Sequence, residues 1–153
     1  MRVKSLVLEA VLFGSCILVI SVLFHSLGTV KLVRIIKKPY RQVGKWSGEY
    51  RKIARISYVA VFLLVLHIIQ IVIWAAVYCY LIDIPVISSF SDAFYFSTIT
   101  YTTVGYGDIV ITGHGRLLSG LESINGILMF GWSTALLFAA VQKTWLTNEH
   151  TNG

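Results

Sequence analysis

Charge is scarce in this sequence. Only 13% of its 153 residues are Asp, Glu, Lys or Arg and 56% are hydrophobic, whereas a soluble domain is about a quarter charged. Too few polar residues exist to cover a soluble core, so the composition excludes a soluble domain and points to a membrane protein built as one unit. Cysteine is nearly absent as well. Cys16 and Cys79 both lie inside apolar stretches, where thiols say nothing about redox compartment, and no disulfide is expected. The sequence shows no internal repeat, low-complexity tract, nucleophile–base constellation, phosphate loop or metal-ligand spacing. An enzyme is therefore not expected.

What is present is three long apolar runs, at residues 6–27, 57–82 and 117–141. Each reaches the roughly 20 residues that cross about 30 Å of hydrocarbon. The first holds only Glu9 near its start and His25 near its end. Arg2 and Lys4 imitate the basic start of a signal peptide, but the apolar run is longer than such a peptide's core, so a retained helix is expected.

The base is placed unevenly. Of 13 Lys and Arg, nine lie within residues 31–55, opposed by Glu49 alone. Between two spans this is the pattern of a cytoplasmic loop, not of a nucleic-acid surface. Ile36, Tyr40, Val43, Tyr50 and Ile53 recur there at near-helical spacing beside Trp46, while Pro39, Gly44 and Gly48 interrupt. A broken amphipathic helix on the inner leaflet is expected, with Lys31 through Arg55 facing anionic lipid. The N-terminus is then outside, the loop 83–116 outside, and the tail 143–153 cytoplasmic. The outer loop agrees, since Arg116 is its one basic residue. Lys31, Arg34 and Lys37 have voltage-sensor spacing, but a lone span with only distant Glu9 as countercharge does not make a sensor. His114 is read as a solvated loop residue. His67, Gln70 and Asn125 are read as helix contacts.

Between the second and third runs, residues 88–102 are too short to cross the bilayer. Ser89 or Ser91 suits a helix N-cap and Asp92 the positive end of a helix dipole. Lone strands leave backbone groups unpaired in lipid, so a re-entrant helix is expected. Its C-terminal end, carrying about half a negative charge, would point inward and favour a cation. Next comes Thr103-Val104-Gly105-Tyr106-Gly107. This pattern is known as the potassium filter, so its link to potassium is one of recognition. Its physical logic is clear. A dehydrated ion needs oxygens in place of water, and alternating glycines, tolerant of positive φ, let successive carbonyls point one way. The Thr103 hydroxyl adds an oxygen ring, and Val104 and Tyr106 are expected to brace the column against the short helix. One chain supplies one wall, so four are implied.

With these residues, the stretch 90–141 resembles the pore module of the potassium-channel superfamily, as in small prokaryotic two-helix channels. The simplest of those lack the first helix and the basic loop. The resemblance implies an all-α membrane protein: three transmembrane helices, a re-entrant pore helix and a filter loop, homotetrameric around a central pore. The expected parts are an N-terminal helix 1–30, a basic linker 31–56, a pore module 57–142 and a tail 143–153. Within the module lie an outer helix 57–82, a pore helix 91–102, a filter 103–107 and an inner helix 117–141. The implied function is passive potassium conduction through Thr103, Val104, Gly105, Tyr106 and Gly107, with potassium ions in the filter and three further copies of the chain as partners. The alternatives are a modulatory chain that assembles with an unidentified partner subunit, a component of a potassium uptake transporter, disfavoured by the intact motif and short length, and a nonselective channel, disfavoured by Tyr106. The location implied is the plasma or inner membrane. Asp108, Tyr95, Phe96 and Glu122 match positions that support the filter. Gly126 matches the hinge of the inner helix, although Gly120 and Gly131 could equally serve close packing. Ile127, Phe130 and Thr134 would line the cavity and Phe138 would narrow its mouth.

Overall fold

A computed structural model describes residues 2–37, 48–82, 84–113 and 115–146. It contains α1 (Arg2–Lys37), α2 (Gly48–Ala76) continued by a π-helical turn (Val77–Leu81), α3 (Phe90–Tyr101) and α4 (Gly115–Leu146). Among the described residues there is no strand. The stretches Leu6–Lys37, Gly48–Leu81 and Gly115–Trp145 hold 32, 34 and 31 residues, each beyond the roughly 20 that a span requires. The chain is an all-α, multi-pass membrane protein.

The helices overrun the spans expected from hydropathy alone. α1 continues to Lys37 and α2 starts at Gly48 rather than at residue 57. Apolar Leu32, Val33, Ile35 and Ile36 carry the α1 pattern between its cations, and no proline interrupts before Pro39. Where the basic segment is described, it therefore extends two spanning helices and forms no separate element. Pro39, Tyr40, Val43, Gly44 and Trp46 of the expected amphipathic linker lie outside the described residues, as do His114 and the tail residues 147–153. α4 likewise extends past 117–141 at both ends, and α3 begins and ends one residue earlier than 91–102.

α1 packs chiefly along α4, and α2 packs against α3 and α4. A Cβ on Gly14 would lie 2.8 Å from Leu118 Cδ2 near the start of α4, and His25 meets Ser133 further along. α1 therefore runs parallel to α4. α2 runs opposite, since Gly28 meets Leu66 while Arg55 reaches Ile35 and Ile36. One stripe of α1 makes these contacts: Ile17, Ser21, His25, Leu32 and Ile36 are buried, and Gly14 and Gly28 fall in the same register. Small and polar residues in such a stripe let membrane helices approach closely where apolar packing alone gives no preference for protein over lipid. Leu8, Leu12, Leu23 and Leu27 point the other way and are exposed.

Two apolar clusters fill the bundle. One gathers Trp74, Tyr78, Phe96, Tyr101, Leu118 and Met129 around α3. The other gathers Leu32, Ile36, Val59, Leu63, Leu66 and Ala140 at the opposite end. There the Arg55 guanidinium donates to the carbonyls of Ile35 (3.3 Å) and Ile36, which end α1 without helical partners. A cation at a helix C-terminus also complements the dipole. Arg55→Ala is expected to lower the stability of the purified protein in detergent by about 1–2 kcal/mol, read as an earlier thermal transition. Arg55→Lys, which keeps the charge but loses the fork, should fall between.

Candidate ion-conducting site

The site is built on α3, which Ser89 starts. Its hydroxyl accepts the Asp92 backbone N–H at 3.1 Å, while the Ser88 hydroxyl donates to the Asp92 carboxylate at 2.8 Å. These two hydroxyls, Ser88 first, hold the Asp92 carboxyl below its usual range. A charged carboxylate in the first turn complements the helix dipole. α3 has 12 residues and is thus about 18 Å long, too short to span. Ala93, Phe96, Ser97, Thr100 and Tyr101 form its buried face.

The chain then folds back over the end of α3. Thr102 N–H donates to Thr98 O at 3.1 Å, Thr103 N–H to Thr100 O at 3.0 Å, and Gly105 N–H to Ile99 O at 3.1 Å. Beyond that point the backbone alternates. Thr103, Gly105 and Gly107 have φ of 60°, 55° and 80°, and no intervening residue is positive. Reversing handedness at every second residue turns successive carbonyls toward one side instead of the two of a strand. Glycine accepts this freely. Thr103 does not, and its left-handed backbone costs about 1–2 kcal/mol, strain of the kind that collects at functional sites. Sequence reasoning explained the two glycines and named the Thr103 hydroxyl, but missed the left-handed backbone of Thr103.

Within one chain two side chains of this loop are open. Val104 is 52% and Tyr106 73% exposed, so the expected bracing by the chain's own α3 is not found. A cavity of about 440 Å³ lies behind the loop, lined by Ile99, Thr103, Gly105, Gly107, Ser119 and Ser123 among others. Among the described residues no three His, Cys, Asp or Glu cluster to hold a metal.

The expected supports divide into two groups. Tyr95 donates its hydroxyl to Asp108 at 2.7 Å, joining α3 to the C-terminal end of the loop. That bond holds the Asp108 carboxyl below its ordinary range. Phe96, its neighbour in the expected pair, turns into the core and meets Tyr78 edge-on at 5.1 Å. Glu122 is fully buried on α4 and faces Tyr78 and Ser97 without a standard hydrogen bond to either. Ile127, Phe130, Thr134 and Phe138 lie along one exposed stripe of α4. The Phe130 ring also covers His67 at 4.6 Å and Tyr101 at 5.6 Å.

Gly126 occupies a tighter place than the sequence suggested. A Cβ there would overlap the Tyr101 carbonyl oxygen and come within 2.8 Å of its carbon, so α3 ends directly against the α4 backbone. Gly120 and Gly131, the other candidates for close packing, meet nothing within the chain. Ser123, one turn earlier, donates to Thr100 O at 3.1 Å. A serine in a helix carries no signal that its partner is another helix's end, and sequence reasoning passed over it.

Residues 57–143 match a family model described as Ion channel. The chain belongs to this ion-channel family. Over 48 residues the channel is 52% identical to the hyperpolarization-activated voltage-gated potassium channel of Methanocaldococcus jannaschii, covering 29% of this chain and 23% of the relative. Over 73 residues it is 46% identical to the voltage-gated potassium channel Kch of Escherichia coli, covering 44% of this chain and 18% of the relative. The matched stretches thus span about a fifth of the length of these relatives. No solved structure matches the chain. Residues 57–143, from within α2 to near the end of α4, are thus an ion-channel module.

Gly126→Ala is expected to cost about 1–3 kcal/mol by forcing α3 from α4, visible as lost thermal stability in detergent. Gly120→Ala, into open space, should be neutral or gain up to about 1 kcal/mol in helix propensity. Tyr95→Phe tests the outer bond. A carboxyl with a depressed folded value stabilises above its ordinary value of 3.8 and loses that contribution as pH falls through the depressed one. The variant should therefore be less stable than wild type at pH 7, with the gap closing below about pH 4.

Proposed function

We propose that four copies of this chain surround a pore and conduct potassium passively through residues 103–107. The observation that carries this reading is the alternation of φ at Thr103, Gly105 and Gly107, directly after a helix whose C-terminal end is held against α4. Carbonyls turned to one side can replace the water shell of a potassium ion. Four converging copies close the ring that one chain leaves open. The negative ends of four α3 helices favour a cation as it sheds water. Several adjacent sites let one ion displace the next, so that binding does not become trapping.

Roles for the surrounding residues follow. Val104 and Tyr106, open in one chain, pack against neighbouring copies and hold the ring's diameter. Tyr95 and Asp108 pin the outer end, and Glu122 backs α3 from α4. Ile127, Phe130, Thr134 and Phe138 face the inner cavity, with Gly126 as the bending point of α4. The filter faces outward, both the basic helix ends and the C-terminus face the cytoplasm, and Lys31, Arg34, Arg51, Lys52 and Arg55 lie at the level of anionic headgroups.

The test is the reversal potential of the purified protein in planar bilayers under opposing potassium and sodium gradients. The expected value lies near the potassium equilibrium potential, and Gly105→Asp, which puts a side chain and a charge at φ 55°, should abolish it. Reversal near zero in the wild type would overturn selectivity.

A further inference from the structure

One residue from each of α1, α3 and α4 and two from α2 meet in a closed polar ring inside the bundle. His25, His67, Gln70, Tyr101 and Ser133 are all buried. The contacts run His25 Nε2 to Ser133 Oγ at 3.3 Å, Ser133 Oγ to His67 Nε2 at 2.9 Å, and His67 Nδ1 to Tyr101 Oη at 3.2 Å. Tyr101 Oη then donates to Gln70 Oε1 at 3.2 Å, and Gln70 Nε2 lies 3.1 Å from His25 Nδ1. The second amide hydrogen of Gln70 points to Leu66 O at 3.4 Å.

Donor counting fixes the direction. Gln70 Nε2 can only donate, so His25 Nδ1 accepts and His25 Nε2 carries its proton. Tyr101 donates to Gln70, so its oxygen accepts from His67 Nδ1–H, leaving His67 Nε2 to accept from Ser133. Each of the five residues then donates once and accepts once around the ring. Rings of Phe130, 4.6 Å from His67, and Trp132, 5.6 Å from His25, cover it. In a membrane interior a polar group without a partner is costly, so the ring is stable whole and poor in pieces.

We propose that His25 of α1 is a positioning residue for the filter, acting through this ring on Tyr101. Tyr101 is the last residue of α3, two before the strained Thr103, and its carbonyl rests on Gly126. Its hydroxyl and its carbonyl are thus both held, one by the ring and one by α4. Without α1 the ring lacks one member, leaving a hydrogen of Gln70 and the Ser133 oxygen unmatched. The first helix is in this way part of the filter's support, a role that rests on the conduction reading above.

The ring also tolerates only neutral histidines. One added proton puts six hydrogens where five gaps exist, and one donor then faces another. The titratable groups around it are His25 on α1, His67 on α2, Tyr101 on α3 and, on α4, Glu122, which acts on Tyr101 electrostatically. Acid therefore opens the ring.

The experiment compares potassium-to-sodium permeability ratios, from reversal potentials in planar bilayers, for wild type, His25→Leu, His25→Gln, Tyr101→Phe and the double variant His25→Leu with Tyr101→Phe. Each of His25→Leu and Tyr101→Phe is expected to lower the ratio about fivefold, the worth of one hydrogen bond, and the double variant to lower it no further. His25→Gln, which offers one donor and one acceptor, should restore much of the loss. Leu23→Ala, on the exposed face of α1, should leave the ratio unchanged. Ratios equal to wild type, or fully additive losses, would overturn the proposal. If His25→Leu does not assemble, His25→Gln and Tyr101→Phe decide by the same criteria. A wild type that does not select potassium would overturn the conduction reading and this proposal together, and the wild-type record alone separates that outcome.

Discussion

The carbonyl of Tyr101 and the bare backbone of Gly126 touch where any side chain would separate them. This contact places the end of α3 on α4, and the rest of the site is arranged from that end. The loop is anchored by the N–H groups of Thr103 and Gly105 on the carbonyls of Thr100 and Ile99 in the last turn of α3. Inside a membrane such carbonyls cannot turn to water. The last turn of α3 therefore meets its hydrogen-bonding needs through the loop that follows and through Ser123. The inner helix, the short helix and the loop form one hydrogen-bonded unit for that reason.

Charge follows the same economy. Asp92 sits at the amino end of α3 and Arg55 at the carboxyl end of α1, each opposite the local end of a helix dipole. Glu122, by contrast, is enclosed with no hydrogen bond of ordinary geometry, among Tyr78 and Ser97.

Much of this was legible in the sequence because lipid limits the choices. Three runs long enough to span, a fourth too short, and a cap at Ser89 determine the order of elements. The family match over residues 57–143 bears on the module as a whole and not on any one residue of it. Helix ends were less legible, because hydropathy stops at the first cations while the backbone does not, as Lys31 to Lys37 on α1 show. Tyr95 and Phe96 looked alike as an aromatic pair. Only their angular positions on α3 send one to Asp108 and the other to Tyr78. His67 and Gln70 were read as helix contacts, and they are. Their closure with His25 was beyond reach, because it depends on α1 lying parallel to α4 in one register, which no local pattern encodes.

The length of α2 has a consequence of its own. Its 29 residues extend about 44 Å at 1.5 Å per residue, against a hydrocarbon layer of about 30 Å. The surplus is taken up by tilt or by projection of the end that carries Arg51, Lys52 and Arg55. Arg55 ties that end to the last turn of α1, so a bilayer thin enough to tilt α2 loads its contact with α1.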